Sequence, residues 1–443
     1  MGRRPLDILE LAKDLSLAED LEIKKRLVKK IFNIAYKNRI YLASINSFYL
    51  GRGRNEILSN FTVPAINLRT LALDLARAIF RVAKRLNTGA FIFEIAKSEI
   101  GYTNQLPIEY SSIVLAAAIK EGWSGPVFIQ GDHFQVNAKR FQENPEREIE
   151  GLKALILEAI EAGFYNIDID SSTLVDLSKS SILEQQRLNF EVCAELTKFI
   201  RRNQPRGIDV SVGGEIGEVG GKNSTPDELH AFIKGFRRSL RKNYTGISKI
   251  SVQTGTTHGG VVLADGSIAK VNIDFDTLKT LSIIARSEYG LAGCVQHGAS
   301  TLPSEAFGKF VETETAEIHL ATEFQNMVYE SKSFPSDLKE RMYDWIRENC
   351  QGERKEGETE EQFIYKTRKK ALGPFKREII GLPQEIRDTI AGEIEDKFEF
   401  LFRQLNTVDN RELIDKYVFL KRVIKRKRKE ALKVILLDTE GAD

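Results

Sequence analysis

Cysteine is scarce in this chain. Only Cys193, Cys294 and Cys350 occur among 443 residues, with no CxxC and no paired spacing. That excludes a disulfide framework and leads to the expectation of reduced thiols in a cytoplasmic protein. Long apolar runs are missing too, so no bilayer-spanning segment is expected. The opening MGRRPLDILEL carries acids too early for a signal peptide, and Leu6 breaks the myristoylation pattern. Nor does charge of one sign accumulate: 65 Lys and Arg against 63 Asp and Glu leave a formal +2. General affinity for nucleic acid or an acidic membrane is therefore not expected. Histidine is the informative scarcity, with five in the whole chain.

What is present suits a soluble globular protein, at 42% hydrophobic and 29% charged residues. Residues 1–60 read as a charged helical arm. In LEIKKRLVKKIFNIAYK, Leu27, Val28, Ile31 and Phe32 recur at near-helical spacing. Such an arm would pack on the main domain or on a neighbouring subunit. From residue 61 the chain alternates between short apolar runs and amphipathic stretches. TVPAIN, GAFIFEIAK, VFIQGDH, FYNIDID, IDVSVGGEIG, ISKISVQTG, GCVQHG and AEIHLAT are the eight candidate strands. Eight βα units in a row predict an α/β fold, a (β/α)₈ TIM barrel over 61–330 with helical N- and C-terminal extensions. Residues 331–443 form the second extension, and the basic run Lys425 to Lys429 reads as a solvated helix face.

In such a barrel the chemistry gathers where strands end. Those ends here carry Asn67, Lys97, Asp132 with His133, Asp170, Glu215, His258, His297 and His319, of which Asn67 and His319 are candidates to contact the substrate. Imidazoles from three different strands, His133, His258 and His297, could meet around one divalent ion, with Glu215 as a further carboxylate ligand. Asp132, next to a candidate ligand, suits a general base. His230 lies inside an amphipathic helix and receives no role. The glycines of HGG and HGAS leave backbone free for close approach to a ligand. Gly259, Gly298 and Ser300, with Thr322 beyond the last strand, could therefore cradle a phosphate.

Together these motifs resemble the class II, metal-dependent ketose-bisphosphate aldolases of the fructose and tagatose type. VPAIN, QGDHF, GFYNIDIDSS, VGGEIGEVGG, ISVQTGTTHGG, CVQHGASTLP and EIHLATE follow the family's order from Val63 to Glu330. The resemblance implies metal ligands at His133, His258, His297 and Glu215, the general acid/base at Asp132, and phosphate contacts at Gly259, Gly298, Ser300 and Thr322. It implies a lyase of carbohydrate metabolism that uses Zn²⁺ or another divalent transition metal, with a monovalent cation as a further candidate. A phosphorylated sugar would be its substrate, and the chain would assemble as a homo-oligomer, a dimer or tetramer. Three positions depart from the pattern. His319 stands where the family has a substrate-binding asparagine, and Ala299 where it has a glycine. Lys222-Asn223-Ser224 occupies a loop that usually offers a glutamate, Glu218 being the nearest acid. Two other readings stay open: a non-catalytic accessory subunit of an aldolase, or a zinc-dependent lyase or hydrolase of another substrate. A Schiff-base mechanism on Lys97 would leave the histidines without purpose.

Overall fold

The computed structural model describes residues 7–217, 221–255 and 273–423. Among the described residues nine strands, all parallel, occur in chain order: β1 Ile40–Ala43, β2 Val63–Asn67, β3 Ile92–Ala96, β4 Gly125–Gln135, β5 Asn166–Asp170, β6 Ser211–Gly217, β7 Lys249–Val252, β8 Cys294–Gln296 and β9 Glu317–Leu320. From β2 to β9 each strand pairs with the next, and β9 returns to β2 (Val63↔Glu317), so the sheet closes into an eight-stranded barrel. Helices such as Ala72–Arg85, Pro107–Lys120, Pro145–Ala162 and Arg187–Asn203 connect the strands. The strands are near-continuously buried because helices cover their outer faces and side chains fill the interior. Local signals agree with this plan. Thr225 and Glu228, for example, form a reciprocal capping box that starts helix Pro226–Leu240.

The N-terminal segment corrects the expectation of a purely helical arm. Helices Ile8–Leu17 and Leu21–Lys37 do form, but β1 follows them and pairs with the lower half of β4, Ile40↔Gly125 to Ala43↔Phe128. β5 uses the upper half of the same β4 edge, beginning at Gln130↔Asn166. Asn166 joins the two: its side chain accepts from Ile45 N–H at 2.9 Å and donates to the carbonyls of Ala43 (3.4 Å) and Ile129 (3.0 Å). A four-residue strand is stable here because the barrel supplies its partner.

Next comes helix Asn46–Gly53, which closes the barrel floor. Phe48, Tyr49 and Ile45 pack with Phe61, Val63, Ile92 and Ala316 in a second apolar cluster. Arg52 is fully buried there and donates to the carbonyls of Phe61 (2.6 Å), Glu314 (2.9 Å) and Thr315 (3.1 Å). The C-terminal segment completes the same floor. Helix Gln384–Gln404 lies along Ala72–Arg85, held by the buried Arg387–Asp74 pair at 2.9 Å. Residues beyond it turn under the barrel, where Ile414 and Val418 join the floor cluster. Lys425 to Lys429 lie outside the described residues. No helix among the described residues is long and apolar enough to cross a membrane.

Candidate active site

The upper ends of β4 and β6 are irregular where the candidate ligands sit. The β4–β5 register shifts between Gly131 and Phe134, and His133 inside that bulge takes a left-handed backbone, φ +41°. The β6–β7 register shifts between Glu215 and Gly217. Bulges re-aim side chains, and non-glycine residues with positive φ persist only where the surroundings impose them. Both irregularities turn polar side chains toward the barrel mouth.

One cleft there is lined by Glu94, Asp132, His133, His297, His319, Thr322 and their neighbours. The rings of His133 and His297 lie 4.1 Å apart, and those of His297 and His319 4.2 Å apart. His133 Nδ1 is 3.2 Å from Asp170 and 3.5 Å from Glu215, while its Nε2 is 4.0 Å from Asp132. His297 Nε2 is 4.0 Å from Glu215 and 3.0 Å from Ser251 Oγ. Gly298 and Ser300 from the segment after β8 and Thr322 after β9 line the same cleft. His258, Gly259 and Glu218 lie outside the described residues. Asn67 is buried behind the cleft and its amide donates to Glu99. His230 is remote, bonded to Tyr289 at 2.6 Å. Lys97 donates to the Gln135 carbonyl at 2.9 Å and faces Glu148, a tethered position that does not suit a nucleophile.

Acids and imidazoles in the cleft shift one another's protonation. Burial opposes charge on His133, yet the Asp132 and Glu215 carboxylates outweigh it and raise the imidazole well above its usual range. Burial would likewise raise Asp132, but His133 and His319 hold it well below the carboxylate range. Glu215 is pushed up to about 8, by burial first and by Asp170 second. A site that draws protons onto imidazoles this way also attracts a divalent cation, which competes for the same nitrogens. The donor set fits such an ion. One ligand atom each from Asp132, His133 and His297 lies within 4.8 Å of the others, as is also true of His133, Asp170 and Glu215. Asp170 on Nδ1 of His133 is the kind of carboxylate partner that orients a ligating imidazole.

Beneath the cleft is a layer the sequence reading missed. Lys249, 1% exposed, donates to Gln130 (2.7 Å), Asp168 (2.9 Å) and Glu317 in the barrel interior. Tyr49 reaches Glu317 from the floor. His319 is not merely a replaced asparagine. Its Nε2 meets Glu317 at 2.7 Å, and its Nδ1 meets Asp132 at 3.1 Å and Glu94 at 3.2 Å. A signal was available in IFEIA, ISKIS and AEIHL, where charged residues interrupt fully buried strands. Such residues are buried only when paired.

The comparisons with known proteins bear on this geometry. The sequence profile described as fructose-bisphosphate aldolase class-II matches residues 58–378. A solved structure named a probable tagatose 6 phosphate kinase, from Sinorhizobium meliloti 1021, is 15% identical. It aligns over 80% of this chain and 99% of its own with a TM-score of 0.55, a likeness of fold. A fructose-bisphosphate aldolase from Campylobacter jejuni is 17% identical over 82% of this chain and 95% of its own, with a TM-score of 0.47. The profile match takes in well over half of the chain and contains every strand of the closed barrel. By that match, the chain belongs to the class-II fructose-bisphosphate aldolase family, whose members are lyases.

Proposed function

We propose that this protein catalyses reversible aldol cleavage of a ketose 1,6-bisphosphate, of the fructose or tagatose type, to dihydroxyacetone phosphate and an aldehyde. The observation that carries the reading is the meeting of Asp132, His133 and His297 in one cleft inside the family match. His133, His297 and Glu215 would hold a divalent ion, zinc or another transition metal, with His258 as the further ligand the resemblance implies. When bound, the ion supplies Lewis-acid polarisation of the ketone oxygen. Asp132 takes the proton of the C4 hydroxyl in cleavage and returns it in condensation, a role worth roughly 10² to 10⁴ in rate. His319, at 3.1 Å from Asp132, fixes the direction of that carboxylate. Gly298, Ser300 and Thr322 bind a substrate phosphate.

The test is an assay of the purified full-length protein, loaded with zinc, cobalt or manganese, against a panel of ketose bisphosphates and monophosphates. Dihydroxyacetone phosphate released from a bisphosphate, and lost on chelation, is the expected result. No cleavage of any ketose phosphate with a fully loaded metal site would overturn the reading and favour an accessory subunit.

A further inference from the structure

We infer that Arg69 is a ligand of the substrate's anionic group, held in place by Glu99; this rests on the sugar-phosphate reading above. Arg69 follows β2 and forms part of the cleft wall with Ser98, Glu99 and Thr322. Its side chain is 12% exposed, and its Nε donates to Glu99 Oε1 at 2.7 Å. Its Nη1 is 3.3 Å from Gln325 Oε1 and 3.5 Å from Thr322 Oγ1.

The electrostatics of the cleft make this position decisive. Its described lining includes the acids Glu94, Glu99 and Asp132. Histidines apart, Arg69 is the one cationic side chain among the described lining residues. Among the described lining residues Arg69 thus offers an anion the one guanidinium. The Arg69 corner also holds the Thr322 hydroxyl, at the start of helix Thr322–Glu330, whose capping residue Ala321 gives no side-chain hydrogen bond. A guanidinium stays charged at every working pH, and its planar fork matches phosphate oxygens.

Glu99 supplies the rigidity. It is 3% exposed, and it accepts from the Ala96 amide at 2.7 Å and from the Asn67 side chain. With its other oxygen on Arg69 Nε, the carboxylate sets the plane of the guanidinium. Asn67, at the strand end, thus acts on the site through Glu99 and Arg69.

The experiment compares metal-loaded wild type, Arg69→Gln and Arg69→Lys in two readouts. These are steady-state cleavage of the bisphosphate the wild type turns over best, and calorimetric binding of inorganic phosphate. Arg69→Gln should raise KM and the phosphate dissociation constant at least about tenfold, the loss of a charge-assisted contact, with kcat within about threefold. Arg69→Lys, which keeps the charge and a partner for Glu99, should fall between the two. Guanidinium ion added to Arg69→Gln should recover part of the lost affinity. KM and phosphate affinity within about twofold of wild type in either folded variant would overturn the inference. So would a loss of kcat and thermal stability at unchanged KM, which marks a mere strut. Should Arg69→Gln not fold, Arg69→Lys decides alone, with at least about threefold weaker phosphate binding expected. If the wild type binds phosphate through Arg69 but cleaves no ketose phosphate, the proposed function fails and the anion site stands. A wild type that neither binds phosphate nor cleaves a ketose phosphate overturns both.

Discussion

Replacing Lys249 by Met removes the one ammonium of the buried layer while keeping most of the side-chain volume. Lys249 holds Gln130 at 2.7 Å, Asp168 at 2.9 Å and Glu317. Glu317 retains His319 at 2.7 Å after the change, but Asp168 is left with only a 3.6 Å approach to the same ring. The penalty is that of an uncompensated buried charge, about 3–5 kcal/mol. It should appear in the unfolding free energy from urea titration followed by fluorescence of the buried Trp123. The pH dependence has a definite sign. Burial alone would raise Glu317, but Lys249 first, and His319 after it, pull it down from 4.5 to about 2. A carboxyl depressed in the folded state contributes its full stability above its unfolded value and loses it as pH falls through the folded one. The gap between wild type and variant should therefore narrow between pH 4.5 and about 2. Adding Asp168→Asn and Glu317→Gln to Lys249→Met should recover much of the loss at neutral pH, because a buried ion pair is worth little against neutral partners. A single-variant loss under about 1 kcal/mol at neutral pH, or a gap that widens on acidification, would refute the reasoning.

Asp132→Asn should keep metal content and folding while kcat falls at least about 10²-fold, measured on the substrate the panel identifies. His133→Ala should lose metal and activity together, read by elemental analysis beside the assay; full metal retention would remove it from the ligand set. Gly53→Ala should be strongly destabilising at a position far from the cleft, because the added Cβ would stand 2.0 Å from the backbone oxygen of Gly290. Backbone cannot swing aside as a side chain can, so a melting temperature within about 2 °C of wild type, under ~1 kcal/mol, would contradict the fold of the barrel floor.

The barrel was legible because its information is local and repeated. Each strand is a short apolar run followed by a helical period; seven of the eight predicted runs contain a strand of the closed sheet, and VFIQGDH lies within the eighth, Gly125–Gln135. The site was legible where rare residue types stand at strand ends: Asp132, His133 and His297 do meet. Three things were not. β1 is too short to show a period, and it exists because β4 offers an open lower edge. Arg69 belongs to no motif, and only the folded chain brings it to Thr322. The Lys249 layer joins residues from β4, β5, β7 and β9, and each charged residue alone reads as an irregularity in its strand.

The barrel floor has a consequence for how this protein must be made. Helix Asn46–Gly53 is synthesised before β2 to β9, yet part of its cover follows them: the Leu405 carbonyl accepts from Thr62, Asn410 from Gly89, and Tyr417 reaches the Glu56 carbonyl at 3.3 Å. Until those residues leave the ribosome, Phe48, Ile57 and Phe61 lack part of their cover, although all the strands have already been translated. Between the end of β9 and the emergence of residues 405–418 the nascent barrel therefore carries an incompletely covered apolar underside, a period in which it is open to chaperones and to its own kind. A stop codon shortly before residue 405 would spare every candidate ligand at the mouth and still yield an aggregating chain.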